Sequence, residues 1–167
     1  KIADKMLLEY GNQAEKDGVS SLKRELQALN SGADKEIFEK EQEYESAGNP
    51  RAKYLEPITK ACLSLADEVY KTASSGDFPL VLGGDHSIAL GSLAGIGRVA
   101  KEEKKRLGVL YVDAHGDFNT DETSPSGNIH GECLAASCGY GLKALTDLYY
   151  EGVKVDPKNV CFVGTRD

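Results

Sequence analysis

The sequence has 167 residues, a length that favours a single domain. Its formal net charge is −7 at pH 7, from 27 acidic and 20 basic residues, which argues against nucleic acid and anionic membranes as main partners. The four cysteines form no C-x-x-C pair, and we interpret them as reduced, mostly buried thiols of a cytoplasmic protein rather than a disulfide framework. No apolar run approaches the roughly 18 residues of a membrane span, so we expect no insertion into a membrane.

The N-terminal third, residues 1–50, is rich in Lys, Glu, Ser and Asn. Leu22, Leu26 and Leu29 recur at helical spacing, which predicts amphipathic helices in this segment. Its charge runs are typical of a solvated face. We therefore expect an atypical helical segment over residues 1–50, with no part in the chemistry, ahead of a core over residues 55–167.

The predicted helices of the core follow from apolar periodicity. Residues from Leu55 to Thr72 step by three and four, which predicts a helix with one buried stripe. A second helix is expected after Ser87, the candidate N-cap, and a third over residues 142–150. The glycines inside the second helix indicate close helix packing rather than a phosphate-binding loop, because they do not lie in a strand-to-helix turn.

Three short apolar runs predict strands: LVLGG, LGVLYV and NVCFVG, at residues 80–84, 107–112 and 159–164. The first is expected to be buried on both faces, and the second is also expected to be buried. Strands that alternate with helices imply a parallel sheet with crossover helices, which is an α/β layered fold. Ligands of such folds bind beyond the carboxyl ends of the strands. The stretches GGDHS and DAHGDFN begin at two of these ends.

Polar side chains with metal-binding groups follow the second strand at every second position: Asp113, His115, Asp117 and Asn119. Alternate side chains of an extended chain point the same way, and His86 follows the neighbouring strand. Carboxylates with imidazoles suit manganese, iron, cobalt or zinc better than calcium. We therefore expect a divalent-metal site, with ordinary strand-end residues bonded to the backbone as the alternative.

A third stretch, SPSGNIHGE, carries Ser126, Asn128 and His130 at alternate positions. Serine and asparagine suit hydrogen bonds to a substrate carboxylate, and a histidine exchanges protons near neutral pH. The glycines of this stretch are equally compatible with simple turns.

Together, GGDHS, DAHGDFN and SGNIHGE, in this order, resemble the ureohydrolase family, and within it the arginases, over residues 55–167. The form SGN-x-HG favours arginase over agmatinase, since in arginases it contacts the substrate α-carboxylate, which agmatine lacks. The resemblance implies a three-layer α/β/α fold with a parallel sheet, a two-manganese cluster, and a homo-oligomer, either a trimer or a hexamer.

By motif position, the resemblance implies that His86, Asp113 and Asp117 bind one manganese, and that His115 with the shared Asp113 binds the other. Asp117 is also expected to take part in catalysis.

For the substrate, the resemblance implies that three residues recognise the amino-acid end of arginine: Asn119, Ser126 and Asn128. His130 is expected to shuttle protons as a catalytic residue.

The implied activity is manganese-dependent hydrolysis of L-arginine to L-ornithine and urea by a hydroxide that bridges the metals. The alternatives are an agmatinase or another guanidino or formimino hydrolase, or a non-catalytic metal-binding remnant. A metallophosphoesterase is disfavoured because Ile129 separates Asn128 from His130. The Asp-x-Asp pair of the family does not follow Asp117, so we expect that the C-terminal part of the fold is missing and that the isolated chain is inactive.

Overall fold

The computed structural model describes residues 48–166. The chain divides into two units, Lys1–Ser46 and Ala47–Asp167, and the described residues all belong to the second. The helical segment expected over residues 1–50 lies outside the described residues, apart from residues 48–50, which are exposed and not helical.

Two long helices carry most of the packing. Helix α1 spans Leu55–Ser74 and helix α2 spans Ile88–Glu102. The predicted stripe of α1 is confirmed, since Cys62, Ala66 and Val69 are buried. Burial of this stripe against α2 removes apolar surface from water, which stabilises both helices more than their intrinsic propensities do.

Glycines allow α2 to approach α1 closely. A Cβ atom at Gly91 would lie 2.6 Å from the carbonyl oxygen of Cys62, and one at Gly95 would lie 2.5 Å from that of Ala66. No side chain fits in this space without movement of the neighbouring backbone. The expectation of close helix packing is therefore confirmed.

Ser87 occupies the predicted N-cap position of α2, but its side chain makes no capping hydrogen bond. The reason is its backbone, which already has helical angles of φ −56° and ψ −21°, whereas a capping side chain needs an extended residue. The Ser87 N–H instead donates to Asp85 Oδ1 at 3.0 Å.

Two parallel strands form the sheet of the described residues. Strand β1 spans Val109–Val112 and strand β2 spans Val160–Val163, with Val109 opposite Val160. Both strands and their parallel pairing were predicted, and the α/β fold class is confirmed. The burial expected for β1 is wrong for one of its faces, because Leu110 and Val112 are exposed while Tyr111, which points to the other face, is buried.

The strand predicted over residues 80–84 is not a strand in the structure. Its apolar side chains Leu80 and Leu82 are 76% and 84% exposed. A strand is defined by hydrogen bonds to a neighbour, and within residues 48–166 β1 and β2 pair only with each other. Apolar composition alone therefore did not establish strand pairing here.

A short buried helix links the helical layer to the sheet. Helix α3 spans Cys133–Ser137, follows a 3₁₀ turn over Ile129–Glu132, and is buried throughout. Cys133 packs in the cluster beneath α1 and α2, whereas Leu134 packs with Tyr111 of β1. This packing fixes the loop that precedes α3 against the end of β1.

The third predicted helix is confirmed but short, since helix α4 covers only Lys143–Thr146. A second 3₁₀ turn, Pro157–Asn159, precedes β2. All four cysteines are free thiols, and Cys161 is the exposed one, which confirms the interpretation of mostly buried reduced thiols. Among the described residues, every helix is too short or too polar to cross a bilayer.

Candidate metal and substrate site

The first element of the site is the turn that ends β1. Asp113 follows the strand directly, and its N–H donates to the carbonyl of Val163 at 3.1 Å, which extends the ladder by one residue. Its Oδ1 then accepts a hydrogen bond from the His115 N–H at 3.0 Å. This bond to His115, with the charge of the nearby His86, holds the pKa of Asp113 below its usual range, although slight burial opposes this. Asp113 is therefore fixed at the sheet edge as a carboxylate.

His86 meets the two aspartates of DAHGDFN. Its Nδ1 lies 2.7 Å from Asp117 Oδ2 and 3.1 Å from Asp113 Oδ2. The imidazole comes from the turn before α2 and the carboxylates come from the loop after β1, so two separate chain segments build this group. We call His86, Asp113 and Asp117 the ligand cluster.

Asp117 is held by its backbone as well as by its side chain. Its φ is +46°, in the left-handed region, and its carbonyl accepts hydrogen bonds from the N–H groups of Leu134 and Ala135 at 3.1 and 3.2 Å. These donors belong to the first turn of α3, so Asp117 satisfies part of that helix end. The turn directs the side chain inward, where it is buried.

His115 lies at the margin of this group. Its Nδ1 is 3.6 Å from Asp113 Oδ1, and its side chain is 68% exposed. The structure thus places His115 near Asp113, as it must be if both bind the second metal, and the ring of His115 faces solvent.

The third stretch approaches the cluster through His130. The Nδ1 of His130 lies 3.2 Å from Asp85 Oδ2, and Asp85 directly precedes His86. The Asp85 carboxylate is exposed, and its partial desolvation opposes ionisation only in part. Hydrogen bonds from Ser87 and the charge of His130 outweigh this effect, so the pKa of Asp85 is lowered. Asp85 therefore provides a carboxylate that orients the imidazole of His130.

The predicted substrate-binding residues lie in loops that are bonded to each other. The Asn119 N–H donates to the Gly131 carbonyl at 3.1 Å, which joins DAHGDFN to SGNIHGE. The Asn119 Oδ1 accepts from Thr123 Oγ1 at 3.1 Å, and Ser126 Oγ accepts from the Asn128 N–H at 3.2 Å. These bonds hold both loops at the same edge of the sheet, but they bring neither Ser126 nor Asn128 into contact with the ligand cluster.

Sequence reasoning missed two buried neighbours of the cluster, Tyr111 and Cys133. The Tyr111 hydroxyl donates to Asp117 Oδ2 at 2.8 Å, and Cys133 Sγ lies 3.8 Å from the same oxygen. Burial is the main cause that raises the pKa of Cys133 to about 12 and that of Tyr111 far above its usual range. The alternation that singled out Asp113 also places Tyr111 on the same side of the chain, and this was the available signal.

The donor chemistry fits a divalent cation. One imidazole nitrogen lies within about hydrogen-bond distance of each of two carboxylates, at 2.7 and 3.1 Å, and this donor set suits manganese, cobalt or zinc. Ligand atoms of His86, Asp117 and Cys133 also lie within 4.8 Å of one another. A cation bound beside His86 would offset the negative charge of both carboxylates.

These features define an α/β protein with a candidate metal site at the carboxyl end of a parallel strand. The profile of the Arginase family matches residues 11–167, and the chain belongs to this family.

Similar proteins agree with this assignment. The chain is 52% identical over 115 residues to an arginase of Brevibacillus brevis, which covers 69% of this chain and 37% of that protein. It is 50% identical over 119 residues to an arginase of Bacillus caldovelox, with 71% and 38% covered. The chain thus spans about two fifths of the length of these relatives.

Solved structures give the same result. An arginase from Bacillus cereus superposes with a TM-score of 0.68 at 51% identity, over 71% of this chain and 40% of that one. An arginase from Entamoeba histolytica, solved in complex with L-ornithine, superposes with a TM-score of 0.65 at 38% identity, over 72% and 40%. The resemblance that the three stretches indicated is confirmed at the level of family and fold.

Proposed function

We propose that the protein that contains this chain is an arginase, which uses manganese to hydrolyse L-arginine to L-ornithine and urea. The observation that carries the proposal is the ligand cluster, where His86 Nδ1 lies 2.7 and 3.1 Å from the carboxylates of Asp117 and Asp113. Two findings support the proposal: the chain belongs to the arginase family, and its sequence is about 50% identical to named arginases over the matched residues.

In this proposal the cluster holds one manganese, and His115 with the shared Asp113 holds part of the site for a second. When bound, the metal pair supplies Lewis acidity and lowers the pKa of water enough to give a nucleophile near neutral pH. The chain contributes two carboxylates already fixed by the hydrogen bonds of the loops, so little reorganisation accompanies binding.

In this proposal His130 transfers protons as a catalytic residue. Its imidazole is oriented by Asp85 at 3.2 Å, and it would deliver a proton to the departing amine of the substrate. Asn119, Ser126 and Asn128 recognise the carboxylate and amine of the substrate. The Entamoeba histolytica relative was solved with L-ornithine, the product that this reaction predicts.

One further candidate is favoured by a specific observation. Because the chain spans about two fifths of its relatives, a non-catalytic metal-binding remnant is the alternative for the 167 residues taken alone.

For the whole protein we propose a cytoplasmic homo-oligomer, a trimer or a hexamer. Sedimentation of the longest natural product tests this oligomeric state directly.

Urea release from arginine and from agmatine, with and without added manganese, tests the proposal in both this chain and the longest natural product that contains it. We expect manganese-dependent urea from arginine in the longer form only. Preference for agmatine would replace arginase with agmatinase, and no urea in either form would favour the remnant.

A paired substitution tests the ligand cluster. Asp113→Asn is expected to lower the activity of the longer form by about 1,000-fold, because several kcal/mol of metal-based charge stabilisation is lost. Asp77→Asn is the matched control, since the Asp77 carboxylate is exposed and, within residues 48–166, accepts a hydrogen bond only from Ser75 Oγ, at 3.0 Å. Equal activity of the two variants would remove Asp113 from the site.

A further inference from the structure

Tyr111 occupies an unusual place in the sheet, beneath the ligand cluster. It is 6% exposed, whereas Leu110 and Val112 on either side of it face outward. It precedes Asp113 by two residues, so both side chains leave the chain on the same side. The hydroxyl of Tyr111 therefore lies in a buried position next to the candidate metal ligands.

The hydroxyl of Tyr111 has one proton, and the geometry assigns it to Asp117. The distance to Asp117 Oδ2 is 2.8 Å, whereas the distances to His86 Nδ1 and Cys133 Sγ are 3.4 and 3.5 Å. A tyrosine hydroxyl donates a single hydrogen bond, and a carboxylate is the strongest acceptor of the three. The bond is buried, so water does not compete for it.

The aromatic ring of Tyr111 contacts His86, the imidazole of the ligand cluster. It stacks on the imidazole of His86, with ring centroids 5.2 Å apart and planes 27° apart. Phe162, its partner in the register of β2, packs against it edge-on at 5.8 Å. The ring is therefore confined between two aromatic neighbours, in a geometry that such pairs prefer.

We propose that Tyr111 is a positioning residue of the metal site, which orients the Asp117 carboxylate through its hydroxyl and the His86 imidazole through its ring. The inference rests on the proposed function, since it gives a role to the ligands assigned there. Outer groups that orient metal ligands raise metal affinity because less freedom is lost on binding, and their removal commonly costs about 10- to 100-fold in affinity.

Tyr111→Phe tests the inference because it keeps the ring and removes the hydroxyl. We expect the dissociation constant for Mn²⁺, measured from the EPR signal of free Mn²⁺, to rise about 10-fold or more in the longest natural product. Activity on arginine is expected to return at excess Mn²⁺, with the KM for arginine unchanged. Tyr149→Phe is the matched control, since its hydroxyl donates to Asp67 at 3.4 Å, outside the cluster.

The outcomes separate this inference from the proposed function. Unchanged Mn²⁺ affinity in Tyr111→Phe, with tight binding by the parent, would overturn the positioning role and leave the metal site standing. A parent that binds no Mn²⁺ would overturn both. Lost activity that excess Mn²⁺ does not restore, with a lowered melting temperature of the metal-free protein, would assign Tyr111 to folding alone.

Discussion

Asp117 combines a left-handed backbone with a buried carboxylate, and the two features support each other. At φ +46° a residue with a side chain is strained, although aspartate tolerates this region better than most. The strain is offset by the N–H groups of α3 that bond the Asp117 carbonyl and by the hydroxyl of Tyr111 that bonds its side chain. Strained residues held in this way commonly occur at functional sites.

Substitution of Asp117 separates the backbone contribution from that of the side chain. Both Asp117→Ala and Asp117→Gly remove the acceptor of Tyr111, but only glycine adopts a positive φ without strain. We expect Asp117→Gly to have a free energy of unfolding about 1 kcal/mol higher than Asp117→Ala, measured by denaturant titration without metal.

Asp117→Asn is the control for this pair. Asparagine tolerates the left-handed region and offers an amide oxygen to Tyr111, so its free energy of unfolding is expected to be the least reduced of the three. It is nevertheless expected to lose Mn²⁺ affinity, because the carboxylate charge is gone. An alanine variant as stable as the glycine variant would show that the backbone of Asp117 is not strained.

At the scale of the elements, the interface between α1 and α2 depends on the glycines of α2. A methyl group at Gly95 would lie 2.5 Å from the Ala66 carbonyl oxygen and 2.8 Å from Val69 Cβ, both of which belong to packed helix. Gly95→Ala gains about 1 kcal/mol of helix propensity, but the overpacking costs about 1–3 kcal/mol. Because one of the atoms that the methyl group meets is backbone, we expect the cost to lie in the upper part of this range. The net loss in the free energy of unfolding, measured by denaturant titration, is then about 1–2 kcal/mol.

Gly108→Ala provides the comparison for Gly95→Ala. Among the atoms of residues 48–166, a Cβ at Gly108 would meet only the Asn159 carbonyl oxygen within 4 Å, at 3.8 Å, which is an ordinary contact. Its free energy of unfolding is expected to stay within about 0.5 kcal/mol of the parent. If Gly95→Ala proved as mild as Gly108→Ala, α2 would have room to move away from α1.

The strands show what apolar patterning determines and what it leaves open. The runs at 107–112 and 159–164 both become strands because they lie side by side, and the run at 80–84 does not because within residues 48–166 nothing pairs with it. Composition predicts that a segment is extended and apolar. Strand pairing also depends on the neighbouring segment, so the composition of one segment does not determine it.

At the scale of the whole molecule, the polar stretches of the candidate site were predictable and their supports were not. His86, Asp113 and Asp117 were expected together because parallel strands end at one edge. The structure places His86 within 3.1 Å of both carboxylates, although the run that precedes His86 is not a strand. Tyr111 and Cys133 belong to apolar runs, so their types suggested core packing. Only the fold shows that their polar atoms lie beside Asp117.

The exposed apolar surface of the described residues leads to the last prediction. Phe78, Leu80, Leu82, Leu110 and Val112 are between 67% and 88% exposed. Exposed apolar segments and strand faces promote association, so we expect the 167-residue chain to self-associate with increasing concentration in sedimentation velocity. The double substitution Leu82→Ser with Leu110→Ser is expected to reduce association without lowering the melting temperature, because neither side chain is buried.

Leu134→Ser distinguishes a surface effect from a general loss of hydrophobicity. Leu134 is 0% exposed, so this substitution places an unsatisfied hydroxyl and a cavity in the core, and it is expected to lower the melting temperature and increase association. A parent chain that is monodisperse at all concentrations and melts cooperatively would contradict the prediction. Leu110 and Tyr111 lie on opposite faces of β1. Such a result would therefore also mean that the exposed face of the sheet is stable without a covering partner, while Tyr111 on the opposite face supports the ligand cluster.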